Sequence, residues 1–588
     1  MPSGKQNKHL VQGRSFVFNA LFVALNLIGL AMLVLGYHKN FENYFLLFSF
    51  IGYVLMALSI GGLFIFEGRL MMANVSRGLM GGLFIVSGLV KANDPIGFSY
   101  KLEEYFEDGA LAYRIKEWFG APGFSLEFLI DSALTLSVVI CIVEIILGVL
   151  IIIGGKIKLT SWLTVLMMLF FTFLTWHTAN CDPSRKFVDR DTYSLNDPIA
   201  QMKMDAAKSD KTMKIISKSN GQLVIEEMKQ PQCVSDCGCF GDAMKGSVGR
   251  SLTPSESMWK DIVLLYLSIW LFAAQWIIRP NDSKQNIKFL VFSLILVSAL
   301  SWLFDWYFMI GFAAAAILGA LWMLRTGGYF LGNHYGSALI VTVFSGIFIS
   351  YVLLYEPLKD YRPYAEGKNL VWQMNDGKEG KYENTFVLKN VRTGRIETYT
   401  ESQYMSKEKL WDEKRYKFIR NDQKEIIPTK LPTITDQFNP FRDVKDLSFP
   451  EKDLQAVREM LIDNPDLEEI SIRDYIVKAD QIVVLTSKNL LKGNWKNVER
   501  YKMIYRGCRK EGIPFIMITN ADKRQIWYFR KKHGFNVPVF LNDETELKAI
   551  SRSNPSLMVI GKGVVKAKYP HRSTPTFEVL KKNVLKKQ

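Results

Sequence analysis

The stretch EFLIDSALTLSVVICIVEIILGVLII, residues 127–152, is apolar except for two acids in its first turns and a third, Glu144, deep inside it. An apolar helix of about 20 residues is long enough to cross a hydrocarbon core of about 30 Å. Similar runs recur throughout the first 356 residues, and no further run follows them. The pattern predicts a polytopic α-helical membrane protein of about nine spans, at 15–36, 44–66, 74–91, 127–152, 158–178, 258–278, 287–304, 306–323 and 337–355.

The charge content changes close to Glu356. Charged side chains make up 54 of the first 356 residues but 76 of the last 232. This step predicts a soluble part of the chain after the membrane part. The net charge of +16 does not require nucleic acid, because the basic excess of the tail is dispersed. Contact with anionic lipid or an acidic protein explains it more simply.

Basic residues alternate between the loops, which predicts the orientation of the spans. Lys and Arg accumulate before the first span and after the second, fourth, sixth and eighth. Positive loops face the cytoplasm, so the amino terminus is predicted to be inside. An odd number of spans then places the loop 179–257 and the charged tail outside. We therefore expect a multi-pass protein of the bacterial inner membrane with a periplasmic carboxyl-terminal domain.

Four of the six cysteines lie in the predicted external loop: Cys181, Cys233, Cys237 and Cys239. The last two enclose Gly238, and a Cys-x-Cys disulfide closes a small ring that is easily reduced, which suits thiol–disulfide exchange. A second interpretation is a structural bridge, for example from Cys181 to Cys233. A third is a zinc site that also uses His177. Spacing alone does not decide among the three.

Glu144 is a further candidate for a functional residue, because an acid in hydrocarbon is costly unless it has a partner. Lys91 is predicted to pair with Asp94 or to reach inward to Glu144. The structural alternative is a protonated Glu144 that bonds a neighbouring helix. Cys141, one turn away, is predicted to be packing. Glycines at small-residue spacing, such as Gly78 and Gly82, predict close helix packing.

Several of these strings together resemble a known family. They are Ser87–Pro95 continuing to Phe106, Glu144–Gly148, Phe170–Thr175, Asp236–Asp242 and Trp259–Asp261. They resemble the DoxX family, in particular its branch related to the MauE methylamine-utilisation proteins. The resemblance covers 74–278 and implies a four-helix membrane bundle associated with periplasmic thiol–disulfide maturation or quinone-linked electron transfer. The insertion 182–232, Cys181 and the additional spans at both ends depart from the family pattern.

The tail is predicted to contain two parts. Residues 357–479 form a mixed α/β linker region that has a hairpin, Tyr382–Leu388 with Ile396–Thr400, followed by a polar helical stretch. Residues 480–588 alternate strands and helices, which predicts an α/β domain. Asn554-Pro555-Ser556-Leu557 resembles the cis-proline segment of thioredoxin-like domains. The segment 488–495, where that resemblance implies an active site, contains no Cys-x-x-Cys, so this domain cannot carry out dithiol exchange by itself.

The predicted domains are 1–73 with two spans, 74–278 with the DoxX-like bundle and the cysteine loop, 279–356 with three spans, the linker 357–479 and the thioredoxin-like domain 480–588. Two function classes follow. The first is a redox-associated accessory protein in which Cys237, Cys239, Cys233 and Glu144 are the candidate catalytic residues and a quinone is a possible cofactor. The second is a non-enzymatic scaffold or subunit of an envelope complex. Both imply the lipid bilayer and envelope proteins as partners, without nucleic acid; whether the chain is an enzyme stays open.

The orientation is tested by a reporter fused after Gln588. We expect a reporter that folds only outside the cytoplasm to be active there, since the basic loops hold the amino terminus inside. A second fusion after Arg279, in a predicted cytoplasmic loop, serves as the inactive control. Activity of the second fusion but not the first would overturn the orientation.

Overall fold

The computed structural model describes residues 4–37, 44–65, 67–195, 197–209, 212–219, 221–234, 238, 240–326, 328–378, 381–427, 439–440 and 480–585. The chain forms two compact units, Met1–Tyr361 and Arg362–Gln588. The first is helical apart from one small sheet, and the second contains two sheets. Each unit has its own core and is described by itself.

The first unit carries long apolar helices. Within the described residues, eight segments are long and apolar enough to cross a membrane. They are Phe16–Gly36 of α1 (Gly4–Gly36), α2 (Phe45–Ile65), α3 (Arg69–Asn93), α6 (Ala133–Ile153) with the preceding turn Glu127–Ser132, α7 (Ile157–Ala179), α11 (Ser283–Leu303), α12 (Phe308–Thr326) and α14 (His334–Tyr355). A polytopic helical membrane part is therefore confirmed.

The structure differs from the sequence prediction in the number of spans, which is eight within the described residues rather than nine. The segment predicted at 258–278 is α10 (Pro254–Ala273), which begins at a capping box between Thr253 and Glu256. Its first eight residues include three charged ones, Glu256, Lys260 and Asp261. It packs along α7 and α3. Asp261 is buried, whereas Glu256 and Lys260 are half-buried.

Two short helices connect α3 to α6. They are α4 (Pro95–Phe106) and α5 (Leu111–Phe119). Asp94 begins α4 by accepting a hydrogen bond from the Gly97 amide, and Pro95 occupies the first helical position, where a missing N–H costs nothing. The apolar side of α4 is buried in the same core as α6 and α7. The two helices thus cover one end of the bundle.

The loop between α7 and α10 has its own small sheet. Strands β1 (Phe187–Ser194), β2 (Met213–Ser219) and β3 (Gln222–Lys229) pair antiparallel in the order β1-β3-β2, with α8 (Pro198–Ser209) between β1 and β2. Buried Asp189 on β1 pairs with Lys116 of α5 and Lys229 of β3. Burial opposes ionisation of Asp189, but the two ammonium groups outweigh it and lower the carboxyl pKa. The sheet is thereby fastened to α5.

The outer surfaces of the long helices are strongly apolar. Leu46, Phe50, Ile295 and Ile347 each expose more than 60% of their surface. Exposed side chains of this kind, on helices of spanning length, are typical of contact with lipid tails. The remaining helices of this unit are α9 (Gly241–Val248) and the single turn α13 (Gly328–Leu331).

The second unit begins with α15 (Leu370–Met374) and a three-stranded antiparallel sheet. Strand β4 (Lys381–Asn390) pairs with β5 (Ile396–Thr400), as the predicted hairpin requires, and with β6 (Tyr416–Ile427). Of the polar helical stretch predicted after the hairpin, the structure describes one short helix, α16 (Glu401–Ser406), before β6, and residues 428–438 and 441–479 lie outside the described residues. Strand β6 lacks apolar alternation, and its backbone pairing with β4 overrides its polar sequence.

The second sheet has six strands in the order β12-β11-β8-β9-β10-β7. Strands β8, β9 and β10 are parallel, whereas β7, β11 and β12 run antiparallel to their neighbours. The peptide bond Asn554–Pro555, just before β11, is cis. The strands are β7 (Asn439–Pro440), β8 (Ile482–Ser487), β9 (Phe515–Thr519), β10 (Val539–Leu541), β11 (Ser556–Gly561) and β12 (Val564–Pro570). A separate carboxyl-terminal unit built of sheets and helices, which fits the predicted soluble domain, is thus confirmed.

Helices cover both faces of this sheet. Alternate residues of β8 illustrate the arrangement: Val483 and Leu485 join one core, while Ile482 and Val484 join the other. The covering helices are α17 (Val498–Lys510), α18 (Lys523–His533), α19 (Glu544–Ile550) and α20 (Phe577–Asn583). Cys508 is buried in the first core, and burial raises the pKa of its thiol to about 12. It is therefore a packing residue.

Candidate functional site

A buried ion pair joins α3 to α6. Lys91 Nζ donates to Glu144 Oε1 at 2.7 Å and to Oε2 at 2.9 Å, and both side chains are only 3% exposed. The third donor of the ammonium group reaches Ser87 Oγ at 2.7 Å. The inward pairing of Lys91 is thus confirmed, and Asp94 instead caps α4. Two charges removed from water are tolerable only when they are paired and hydrogen-bonded in this way.

The helices α3 and α6 approach closely because glycines lie where they contact each other. A Cβ at Gly88 would lie 2.7 Å from Ile145 and 3.2 Å from the Cβ of Glu144. Farther along, a Cβ at Gly148 would lie 2.8 Å from the carbonyl oxygen of Gly81. These contacts are too short for any larger residue without a shift of the helices. Small residues therefore bring α3 and α6 near enough for Lys91 to reach Glu144.

The ion pair lies in the wall of a cavity of about 430 Å³. Side chains from α3, α6, α7, α10 and α11 line it, together with Phe240 from the loop between α7 and α10. Most of the lining is apolar, including Phe84, Phe171 and Leu264. A mainly apolar cavity with a few converging polar groups is the usual form of a small-molecule site.

A second charged pair lines the same cavity. Lys260 Nζ lies 2.6 Å from Asp261 Oδ1, and the Asp261 side chain is 2% exposed. The ammonium group of Lys260 also lies 5.2 Å from the centre of the Phe240 ring. Sequence reasoning overlooked this pair as a site, although it meets the criterion that selected Glu144, a charge inside a predicted span. With Glu256, which also lines it, the structure therefore brings three carboxylates and two ammonium groups to one cavity.

Two of the four cysteines of the loop 179–257 lie within the described residues. Cys181 and Cys233 form a disulfide. The adjacent Gln232 amide donates to the Gly109 carbonyl at 2.7 Å, which holds this segment against the turn between α4 and α5. Cys237 and Cys239 lie outside the described residues. The structural bridge considered from the sequence is thus present for the first two cysteines.

The residues on both sides of Cys239 are described. Gly238 is buried and has a φ of +64°, a conformation that favours glycine. The place where its Cβ would be is 2.9 Å from the Lys101 side chain of α4. The ring of Phe240 packs on Phe304 with centroids 5.4 Å apart. Gly238 therefore lies against α4, and Phe240 lies at the cavity.

The zinc interpretation is wrong for two of its proposed ligands. The sulfurs of Cys181 and Cys233 are bonded to each other and cannot act as thiolate ligands. His177 is fully buried, and its ring packs against Tyr113 at a centroid distance of 5.4 Å. These residues form a packed polar layer below the loop sheet.

Residues 69–180 match the family described as methylamine utilisation protein MauE. This part of the chain is MauE-like. The matched residues begin at the first residue of α3 and end just after α7, so they contain both Lys91 and Glu144. MauE is a membrane protein family, which agrees with the helices observed here. No curated protein and no solved structure matches the chain.

Substitution of Glu144 tests the ion pair. Glu144→Gln leaves the Lys91 ammonium group buried without a counter-charge, and we expect it to lower the free energy of unfolding by about 3–5 kcal/mol and to impair function. The double variant Lys91→Met with Glu144→Leu removes both charges and should regain most of the stability but not the function. Thermal unfolding in nanodiscs and complementation measure the two effects.

Asp131→Asn is the matched control, because Asp131 is exposed at the start of the same span. It should change neither stability nor function. Full complementation by Glu144→Gln at a normal protein level would reduce Glu144 to a packing residue.

Proposed function

We propose that the chain is a redox-associated protein of the bacterial inner membrane that passes electron pairs from thiols outside the membrane to an apolar acceptor in the bundle. One observation carries the proposal: the cavity that contains the Lys91–Glu144 pair also contains Phe240 of the Cys-Gly-Cys-Phe-Gly stretch. Cys239 precedes Phe240 directly in the sequence. The thiols and the buried charges are therefore proposed to serve one site.

The external half of the chemistry is thiol–disulfide exchange. A thiolate of a client protein attacks the Cys237–Cys239 disulfide and forms a mixed disulfide through Cys237. The second client thiol then releases the client as a disulfide. In total, two electrons and two protons pass from the client to Cys237 and Cys239. Cys233, bonded to Cys181, is proposed to hold the loop in position and to offer a second disulfide for exchange.

The residues of the cavity fit a quinone as the acceptor. The flat apolar ring suits the side chains of Phe84, Phe171 and Leu264, and a volume of about 430 Å³ admits one ring with the start of its tail. The Ser87 hydroxyl accepts from Lys91 Nζ and keeps its own hydrogen to donate to a carbonyl oxygen. A quinone bound there would accept the two electrons and two protons that reoxidation of Cys237 and Cys239 releases.

The charged side chains are proposed to manage these protons. Both oxygens of Glu144 accept from Lys91 Nζ, so Glu144 can take up a proton while Lys91 gives one up through Ser87, and the net charge of the pair does not change. Asp261, beside Lys260 at the same cavity, provides a second proton acceptor. Glu144, Cys237, Cys239 and Cys233 are thus retained as the proposed catalytic residues.

The proposed arrangement follows the basic loops. The amino terminus lies in the cytoplasm, and the cysteine loop and the second unit lie in the periplasm, where thiols are oxidised. We propose the domain limits 1–73, 74–278, 279–356, 357–479 and 480–588. The wider DoxX relationship is proposed for 74–278, and a thioredoxin-like fold for the last domain, which the parallel β8-β9-β10 and antiparallel β11-β12 support.

The alternative function is a scaffold or subunit of an envelope complex. The Cys181–Cys233 disulfide favours it, since a bridged loop needs no exchange. The missing Cys-x-x-Cys at 488–495 also favours it, because the second unit then serves as a binding domain. The two functions differ in whether Cys237 and Cys239 form a disulfide that exchanges with other thiols.

Thiol trapping with mass mapping distinguishes them. A mild reductant should free Cys237 and Cys239 before Cys181 and Cys233, because a small-ring disulfide is the more easily reduced. Cys239→Ser should accumulate mixed disulfides through Cys237, whereas the control Cys508→Ser should accumulate none. Thiols at 237 and 239 that stay reduced, or resist reduction in a bridge, would leave the scaffold as the function.

A further inference from the structure

The second unit has a cleft at the edge of its six-stranded sheet. The cleft has a volume of about 720 Å³ and lies between the segment that follows β8 and one face of α18. The helix α18 follows β9, and β8 and β9 are parallel, so both walls begin at the carboxyl ends of adjacent strands. In open α/β sheets this edge is where ligands bind.

One wall is a basic and aromatic stripe of α18. Arg524, Tyr528 and Lys532 are four residues apart and therefore lie on the same side of the helix. All three are exposed, and the Lys532 ammonium group lies 5.7 Å from the centre of the Tyr528 ring. Lys496 contributes a further cation from the opposite wall.

The charged residues that line the cleft are all basic. None of its lining residues is acidic. Among the described side chains, no carboxylate forms an ion pair with Arg524, Lys532 or Lys496. The pKa of His533, at the end of the cleft, is lowered first by burial and then by the positive charges of Lys532 and Lys502. An unneutralised positive field therefore fills the cleft.

The floor of the cleft is aromatic. Trp495 and Phe529 are buried side by side with ring centroids 4.5 Å apart, and the Trp495 indole N–H donates to the Leu490 carbonyl at 2.7 Å. Leu491 stands exposed at the rim. A rigid apolar floor below three cations is complementary to a molecule that has a flat apolar body and a negative group.

We propose that this cleft binds a small aromatic carboxylate or a similar organic anion, with its ring on the Trp495–Phe529 floor and its negative group between Arg524, Lys532 and Lys496. The segment 488–495 thus forms a binding wall in the place where the sequence lacks a dithiol. This binding requires no redox chemistry and is independent of the function proposed for the membrane unit.

The test uses the full-length chain in phosphatidylcholine nanodiscs, with equilibrium dialysis of 2-naphthoate and of 2-naphthylmethylamine, its cationic counterpart. Empty nanodiscs give the blank. We expect naphthoate to bind and the amine to bind at least about tenfold more weakly, because the cations attract one and repel the other. Added salt should weaken the binding of naphthoate.

Gln525→Glu is the sharpest variant. Gln525 lines the cleft and forms a capping box with Asp522, in which its side chain accepts from the Asp522 amide at 3.2 Å. Glutamate preserves that box and adds a negative charge to the cleft. We expect unchanged stability and naphthoate affinity lowered by about tenfold. Arg524→Gln with Lys532→Gln should also lower it by about tenfold.

The matched control is Arg509→Gln with Lys510→Gln, which removes the same charges from an exposed turn of α17. It should leave naphthoate affinity within about twofold of the unsubstituted chain. Equal affinity for naphthoate and the amine would overturn the proposal. So would naphthoate binding that neither Gln525→Glu nor the double variant of α18 weakens.

Discussion

The ion pair between Lys91 and Glu144 is the constraint on which the membrane unit depends. Either charge alone in hydrocarbon is strongly unfavourable, so each fixes the position of the other. Their contact requires α3 and α6 to approach closely, which Gly88 and Gly148 permit. The pair therefore determines the spacing of the two helices, and that spacing leaves room for the cavity beside it.

The cavity connects two regions that are distant in sequence. Part of its lining comes from the MauE-like residues 69–180, whereas Lys260, Asp261 and Phe240 come from outside that match. The chain between these two regions, from α7 to α10, is held by the loop sheet and the Cys181–Cys233 disulfide. The ion pair of Asp189 with Lys116 fastens the sheet to α5. A long insertion therefore supports the cysteine stretch without filling the site.

Features that a local pattern determines were predictable from the sequence. Spanning helices follow from apolar length, and the importance of Glu144 follows from one acid in an apolar run. Gly78 and Gly82 were also predicted to allow close packing, and a Cβ at either would lie within 3 Å of a side chain of α11.

Features that depend on partners were not predictable. The role of Gly148 becomes clear only when the position of α3 is known. The strand β6 forms only because it pairs with β4. The cleft of the second unit needs the approach of Trp495 to α18. The charged residues of α10 are evident in the sequence, but the sequence does not show that they line the same cavity as Glu144.

The central claim is that thiols outside the membrane and the cavity around Lys91 and Glu144 form one electron path. The most direct measurement mixes the full-length protein in nanodiscs, mildly reduced and freed of reductant, with decylubiquinone, and follows quinol and disulfide together. The account predicts one quinol for each Cys237–Cys239 disulfide formed, and none in Cys237→Ser. Quinol formation that persists in Cys237→Ser, or disulfide formation without quinol, would contradict it.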